Sequence, residues 1–154
     1  MTPINSIKEK INSDVKIALK SGDALARSVL GMLKAAIANK EIEKRKKDEG
    51  LDESETQEVI RSEVKKRTDA AAAYRAAGDE ARAQDEGREQ EILKKYLPPQ
   101  ASDADIKSAA EKAMAAVGSR SKKDFGKIMG LAVKELAGRA DGHRIKTALE
   151  AMLE

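Results

Sequence analysis

The sequence contains no cysteine, a single histidine and only three aromatic residues among its 154 positions. Without cysteine the chain can form no disulfide, thiolate metal site or cysteine nucleophile, and it fits a reducing compartment. The one histidine, His143, has no second histidine and no spaced pair of carboxylates near it, so we predict no metal site. The shortage of aromatic side chains, set against 26 alanines, favours closely packed helices over a sheet sandwich filled with bulky rings.

Long apolar runs are missing as well. The first residues, MTPINSIKEKINSDVK, carry lysine and aspartate where a signal peptide needs an apolar core. No apolar stretch approaches the length that spans a membrane. We therefore expect a soluble, cytoplasmic protein that does not contact a membrane.

Signatures of an autonomous active site are equally scarce. The stretch DFGKIMG contains a Gly-Lys pair, but Ser121 and Ile128 replace the first glycine and the final serine or threonine of a phosphate-binding loop. No serine, histidine and aspartate occur in a nucleophile-elbow context, and the carboxylates fall on polar helix faces where nothing apolar would raise a pKa. We predict no catalytic residue, no cofactor and no enzyme activity of the chain on its own.

The chain is rich in charge, and the charge is unevenly distributed. Lysine and arginine total 30 against 27 aspartates and glutamates, which gives a net charge of +3. Residues 118–147 hold eight basic and three acidic residues, or +5, whereas residues 79–91 hold six acidic and two basic ones. This polarity indicates a basic surface in the C-terminal part of the chain.

Apolar residues return every three or four positions almost from end to end, which predicts an all-α protein. The first three stripes are Ile4, Ile7, Ile11, Val15 and Ala18, then Leu25, Val29, Met32, Leu33, Ala36 and Ile37, then Ile60, Val64, Ala71 and Tyr74. Pro98 and Pro99 interrupt the pattern because neither ring supplies an amide hydrogen. We predict an N-terminal region of long helices over residues 1–98 and a small three-helix bundle over residues 99–154.

Polar residues at the helix starts define the predicted caps. The predicted pairs are Ser54 with Gln57, Ser102 with Asp105, and Ser121 with Asp124. The helix after Ser121 carries an apolar face that includes Phe125 and Val133, and it should end at Gly138. Asp141 should cap the last helix.

The turn LAGRADGHRIK, from Leu136 to Lys146, admits two interpretations. In the first, Gly138 ends one helix, Asp141 begins the next, and the basic side chains are merely solvated. In the second, the amides that follow Asp141 and the surrounding basic side chains bind an anion such as a phosphate backbone. The contributing side chains would be Arg120, Lys122, Lys123, Lys127, Arg139, His143 and Arg144. Because no aromatic residue interleaves this patch, a nucleic acid would be bound through its shape and backbone.

Three segments in a fixed order resemble the GatB/YqeY family, and the match is to its stand-alone YqeY-like members. They are EILKKYLPPQ at residues 91–100, GKIMG at residues 126–130 and GRADG at residues 138–142. The upstream segments VLGMLKAAIANKEIEK and YRAAGDEARAQDEGREQEILKKYLP resemble the same proteins, so the similarity covers essentially the whole chain. One departure is Ala101, which stands where such proteins often have leucine.

The resemblance implies an N-terminal helical region followed by a three-helix module. That module is similar to the C-terminal tail of the B subunit of the glutamine-dependent aspartyl/glutamyl-tRNA amidotransferase, where the tail helps to hold the tRNA. The residues that match the motif of the tail are Gly126, Lys127, Met129, Gly130, Gly138, Arg139, Asp141 and Gly142. The family label, carbon-nitrogen ligase activity with glutamine as amido-N-donor, describes the relative, because this chain has no counterpart of its catalytic domain. The resemblance therefore implies a tRNA-binding accessory protein, with aminoacyl-tRNA or amidotransferase machinery as its partner.

Two other functions stay open at this point. A helical protein–protein interaction module without an RNA ligand would show exposed apolar side chains on the helix from Ser54 to Tyr74. A catalytic subunit would itself amidate misacylated tRNA with glutamine and ATP, an activity that we do not expect.

Overall fold

The computed structural model describes residues 6–154, and within them the chain is all-α, as predicted, with seven α-helices and no strand. The chain divides into two compact units and passes from one to the other between Leu97 and Pro98. Ile4, which begins the first predicted apolar stripe, lies outside the described residues.

The first unit begins with two antiparallel helices, α1 (Ile7–Ser21) and α2 (Ala24–Glu43). The backbone of Gly22 adopts φ +73°, a left-handed conformation that favours glycine, and it ends α1. The side chain of Asp23 then accepts a hydrogen bond from the amide of Ala26 at 3.0 Å and begins α2. Two consecutive residues, Gly22 and Asp23, thus end α1 and begin α2.

The second half of this unit consists of α3 (Glu53–Ala76) and α4 (Glu80–Lys94). The predicted cap at Ser54 is wrong: Asp52 accepts a hydrogen bond from the amide of Glu55 at 2.8 Å, and the Glu55 carboxylate accepts one from the amide of Asp52 at 3.0 Å. The helix therefore begins earlier than predicted, because Asp52 and Glu55 satisfy the same amides and place negative charge at the positive end of the helix dipole. Lys44 and Lys46 also pair with Glu55. The hydrogen bond from the Asp52 amide, followed by those from the two lysines, lowers the pKa of Glu55 to about 2.

The apolar core of the first unit is formed by one face of each helix. Its buried members are Ile7, Ile11, Val29, Leu30, Leu33, Ile37, Leu51, Val59, Ile60, Leu93 and Tyr96. Leu25 and Met32, which the sequence places on the core face of α2, are instead exposed. The buried face of α2 consists of Val29, Leu30, Leu33 and Ile37, so the predicted stripe included two exposed residues and missed Leu30.

A buried ionic cluster joins α3 to α4, and sequence reasoning missed it. Arg67 is only 7% exposed; its Nη1 lies 3.1 Å from Glu63 Oε2 and its Nε lies 2.9 Å from Glu89 Oε2. Burial raises the pKa of Glu63, but hydrogen bonds from Lys66 and Arg67 outweigh that effect and bring the pKa below its usual value. The α3–α4 pair thus relies on charge where its sequence offers few large apolar side chains.

The second unit is a three-helix bundle of α5 (Asp103–Val117), α6 (Phe125–Leu136) and α7 (Gly142–Met152). Its buried residues are Ala101, Ile106, Ala109, Ala110, Ala113, Met114, Ile128, Ala132, Leu136, Ile145, Leu149 and Leu153. Val133 is exposed, contrary to the prediction, because Ile128, Ala132 and Leu136 recur at the four-residue spacing that one narrow face allows. The capping box of Ser102 with Asp105 at the start of α5 is confirmed.

Candidate functional site

The turn between α6 and α7 has a complete structural explanation. The left-handed residue that follows α6 is Ala137, with φ +48°, so the predicted end of this helix at Gly138 is one residue late. Gly138 also has a positive φ, +79°, and reverses the chain after Ala137. Asp141 caps α7 as predicted, since its Oδ1 accepts a hydrogen bond from the amide of Arg144 at 2.9 Å.

The first residues of α7 are backed by α6. A Cβ atom added at Gly142 would lie 3.9 Å from the Cε atom of Met129, which is half-buried beneath it. The amides of Gly142 and His143 have no acceptor among residues 6–154, and the His143 side chain is exposed in the first turn. Asp141 and the Asp103 carboxylate lie near the same end of the helix and oppose the approach of an anion.

Arg139 makes hydrogen bonds that stabilise the second unit. Its Nε donates a hydrogen bond to the carbonyl of Pro99 at 3.2 Å, and its own carbonyl accepts one from the amide of Ala101 at 2.7 Å. Its Nη2 also lies 3.5 Å from Asp105 Oδ2. The hydrogen bonds of Asp105 to Ser102, helped by the charge of Arg139, lower the pKa of Asp105. Arg139 thus fastens the segment that leads into α5, and its guanidinium is only partly available to a ligand.

Arg144 has an acidic partner as well. Its Nη2 lies 2.9 Å from Asp103 Oδ1, and the Asp103 side chain is almost fully exposed. The sequence places Arg139 and Arg144 in the same turn but gives no sign that the start of α5 faces them. Both arginines therefore face an aspartate within the unit.

The other predicted basic residues lie before and along α6, and each is exposed. They are Arg120, Lys122, Lys123 and Lys127. None of them forms an ion pair with another residue of the range 6–154. Lys122, Lys123 and Asp124 form a 3₁₀ turn that Ser121 caps, whereas Asp124 makes no side-chain cap to α6.

Lys122 and Lys123 lie where positive charge is unfavourable for the stability of the fold. Both precede the N-terminus of α6, where the helix dipole disfavours positive charge. The backbone fixes this connection, because the amide of Glu154 donates to the carbonyl of Arg120 at 2.8 Å and the amide of Lys122 donates to the carbonyl of Glu154 at 3.0 Å. The lysines are therefore presented to solvent from a well-defined segment.

One face of α6 continues this basic surface. We call it the α6 face and define it by Lys123, Gly126, Lys127, Gly130 and Lys134, which follow one another at helical spacing and are all exposed. A Cβ atom added at Gly126 or Gly130 would meet nothing within 4 Å. Lys134 was not among the predicted site residues, although its spacing from Lys127 was the signal that could have found it.

The family model described as Yqey-like protein matches residues 8–153, which is nearly the full length of the chain. The chain belongs to the YqeY-like family. No curated protein matches it.

The structure separates the motif residues of this YqeY-like chain into two groups. Gly138, Arg139, Asp141, Gly142 and Met129 have roles in the turn, the cap or the packing described above. The remaining three, Gly126, Lys127 and Gly130, lie on the α6 face, and no contact among residues 6–154 requires them. Gly130 lies in the middle of α6, where glycine costs about 0.5–1 kcal/mol relative to alanine, so this glycine needs another explanation.

Two classes of site are not found in the described range. Among residues 6–154 no group of three or more His, Asp or Glu side chains is arranged to hold a metal ion. No helix of that range is both long and apolar enough to cross a membrane.

Proposed function

We propose that this protein is a tRNA-binding accessory protein whose second unit contacts the RNA backbone and which has no catalytic centre of its own. The observation that carries the proposal is the α6 face, where exposed lysines without acidic partners flank two glycines that the fold does not require. The resemblance of this unit to the tRNA-holding tail of the amidotransferase B subunit supports RNA as the ligand. Its partner would be aminoacyl-tRNA or amidotransferase machinery in the cytoplasm.

The chemistry of the α6 face suits a phosphate backbone. Lysine ammonium groups contact phosphates without reading bases, and helix glycines let a sugar-phosphate chain approach the helix backbone closely. Phe125, the one aromatic residue of this unit apart from the histidine ring, is partly buried against the core and is not presented for base stacking. Recognition would therefore depend on the shape of a folded RNA.

Arg139 and Arg144 are among the contacts predicted from the sequence, and both stay in the proposal with a changed role. Each already donates to an aspartate, which competes with a phosphate for the same guanidinium group. Lys127, with Arg120, Lys122 and Lys123, provides the charge that is available at once, and His143 lies in the first turn of α7.

A salt series tests the proposal. If the four side chains at Arg120, Lys122, Lys123 and Lys127 each contact one phosphate, the logarithm of the tRNA affinity should fall against the logarithm of the salt concentration with a slope of roughly −3 to −3.5. Fluorescence anisotropy with labelled tRNA between about 50 and 300 mM salt gives this slope. An affinity that does not change with salt would contradict backbone recognition.

Replacement of Gly130 by alanine should have two opposite effects. The free energy of unfolding should rise by about 0.5–1 kcal/mol, because the new methyl group meets no other atom and alanine favours the helix. The tRNA affinity should fall several-fold, because the methyl group would stand between the helix and the RNA backbone. Thermal unfolding and anisotropy measure the two effects on the same sample.

Gly31→Ala is the matched control for this substitution. Gly31 is an exposed helical glycine of α2, in the first unit, and a Cβ atom added there also meets nothing within 4 Å. It should give the same stabilisation and leave tRNA binding unchanged. Equal tRNA affinities for both variants and the wild type would show that the α6 face is not in contact with RNA.

A second candidate function, a helical protein–protein interaction module without RNA, is favoured by one observation. Five large apolar side chains of α1 and α2, Ile17, Leu19, Leu25, Met32 and Ile42, are exposed. They do not lie on α3, where the sequence-based version of this hypothesis would have placed them. Co-purification of the protein with a stoichiometric protein partner and without nucleic acid would favour this function over tRNA binding.

A further inference from the structure

The two arginines of the α6–α7 turn each face an acidic residue of the first turn of α5. Arg144 Nη2 lies 2.9 Å from Asp103 Oδ1, and Arg139 Nη2 lies 3.5 Å from Asp105 Oδ2. Asp105 also accepts a hydrogen bond from the amide of Ser102 at 3.0 Å, so it serves the helix cap as well as the arginine. Asp103 has no such second role among the hydrogen bonds of the unit.

The basic residues of the second unit thus fall into two classes. Those before and along α6 are exposed and have no acidic partner among residues 6–154. Arg139 and Arg144 each already donate to a carboxylate oxygen, which occupies the place that a phosphate oxygen of a ligand would take. Carboxylate and phosphate accept the same hydrogen bonds from a guanidinium group, so the two compete for it.

We propose that Asp103 is an internal competitor, with Asp105 in the same role. The two aspartates bind the arginines of the turn in place of a polyanion and thereby lower the affinity of this surface for RNA. This inference rests on the proposed function, because it describes the same surface. An RNA first meets the available lysines, and each arginine contributes its full hydrogen-bonding capacity only when a phosphate replaces its aspartate. The arrangement keeps binding weak enough to reverse.

The size of the effect follows from the exposure of the pair. The Asp103 side chain is 99% exposed and that of Arg144 is 36% exposed. An ion pair that is so well solvated is weak, and its removal should strengthen binding of a competing anion by about two- to fivefold. The effect should shrink at high salt, because solvent ions screen exposed charges.

The test is a double-mutant cycle with tRNA at about 0.1 M salt. Asp103→Asn should bind tRNA about two- to fivefold more tightly than the wild type. The same substitution in an Arg144→Gln background should have no effect, because the residue that Asp103 restrains is gone. Thermal unfolding of each variant shows that the bundle is intact.

Glu111→Gln provides the matched control on the same helix. It removes the same charge from an exposed position that forms no ion pair with residues 6–154. Glu111 lies eight residues along α5, or about 12 Å, from Asp103, which exceeds the screening length of about 10 Å at 0.1 M salt. We expect little change in tRNA affinity for this variant.

The outcomes separate this inference from the proposed function when heparin is used as a second polyanion. A wild-type protein that binds heparin but not tRNA, with later elution of Asp103→Asn from a heparin column, would contradict tRNA binding and support the competitor. Unchanged or weaker binding of the Asp103→Asn variant to both ligands would overturn the hypothesis that Asp103 is a competitor. Weaker binding would show instead that Asp103 positions Arg144 for the ligand. Equal gains for Asp103→Asn and Glu111→Gln would also overturn it, because the effect would then be one of net charge.

Discussion

Replacing Lys122, Lys123 and Lys127 together by glutamine should lower the affinity for tRNA by about 100-fold near 0.15 M salt. Each lost phosphate contact removes roughly 0.7–0.9 from the log-log salt slope, so three contacts remove about 2–2.7, and the affinity difference grows as the salt concentration falls. The fold should not suffer, since these side chains are exposed without ion pairs and two of them oppose the dipole of α6. Anisotropy titrations at several salt concentrations measure both the affinity and the slope.

The matched control is a triple variant of α1, in which Lys10, Lys16 and Lys20 become glutamine. These lysines are exposed and form no ion pair with the described residues, and their loss changes the net charge by the same amount. We expect this variant to stay within a few-fold of the wild-type affinity. If both triple variants weaken binding equally, overall charge and not the surface around α6 determines RNA binding.

Replacing Arg67 by methionine should reduce the free energy of unfolding of the first unit by about 3–5 kcal/mol at pH 7, the usual cost of leaving a buried charge without its partner. Arg67 is 7% exposed, and its loss leaves the buried Glu63 carboxylate with Lys66 as its one remaining cationic partner among residues 6–154 and leaves the half-buried carboxylate of Glu89 with none there. Urea denaturation followed by circular dichroism measures the loss. Arg88→Met on α4 is the control, because Arg88 makes only an exposed ion pair with Asp85 and should cost no more than about 1 kcal/mol.

The pH dependence gives the same prediction a second readout. In the wild type the pKa of Glu63 is lowered on folding, so its contribution to stability is present above the unfolded pKa near 4.5 and is lost as the pH falls through the folded pKa. In Arg67→Met, burial still favours the neutral carboxyl of Glu63 and the opposing hydrogen bond from Arg67 is gone, so the pKa of Glu63 should rise. Protonation of this carboxyl should therefore remove part of the destabilisation of the variant. The stability difference between the two proteins should therefore narrow from pH 7 towards pH 4. A difference that is constant over this range would mean that Arg67 stabilises the unit through packing alone.

The sequence predicted the helices because local signals determine them. Gly22 and Asp23 end one helix and begin the next using only their own backbone and side chain, and Asp141 does the same for α7. The family resemblance then located Gly126, Lys127 and Gly130 without revealing that they are exposed. What local signals could not show was the environment of each charge.

The pairing of Arg144 with Asp103 joins residues that are far apart in the sequence, and no periodicity in either helix marks it. The same holds for Arg67 and Glu89, which follow polar patterns on two helices and meet only when α3 packs on α4. A basic residue is read from the sequence, but whether its charge is available depends on tertiary packing. For this reason the location of the basic surface could be predicted from the sequence. Which of its basic side chains pair with a carboxylate, and which do not, could not be predicted.

The two hydrogen bonds between Glu154 and the α5–α6 connection have a consequence for the order of events during synthesis. The connection that carries Arg120, Lys122 and Lys123 takes its shape from a residue at the far end of α7. A nascent chain from which α7 has not yet emerged cannot form these two hydrogen bonds, so they do not hold the segment that carries the lysines. The segment that carries these basic residues is therefore expected to take its shape only after α7 has docked on the bundle.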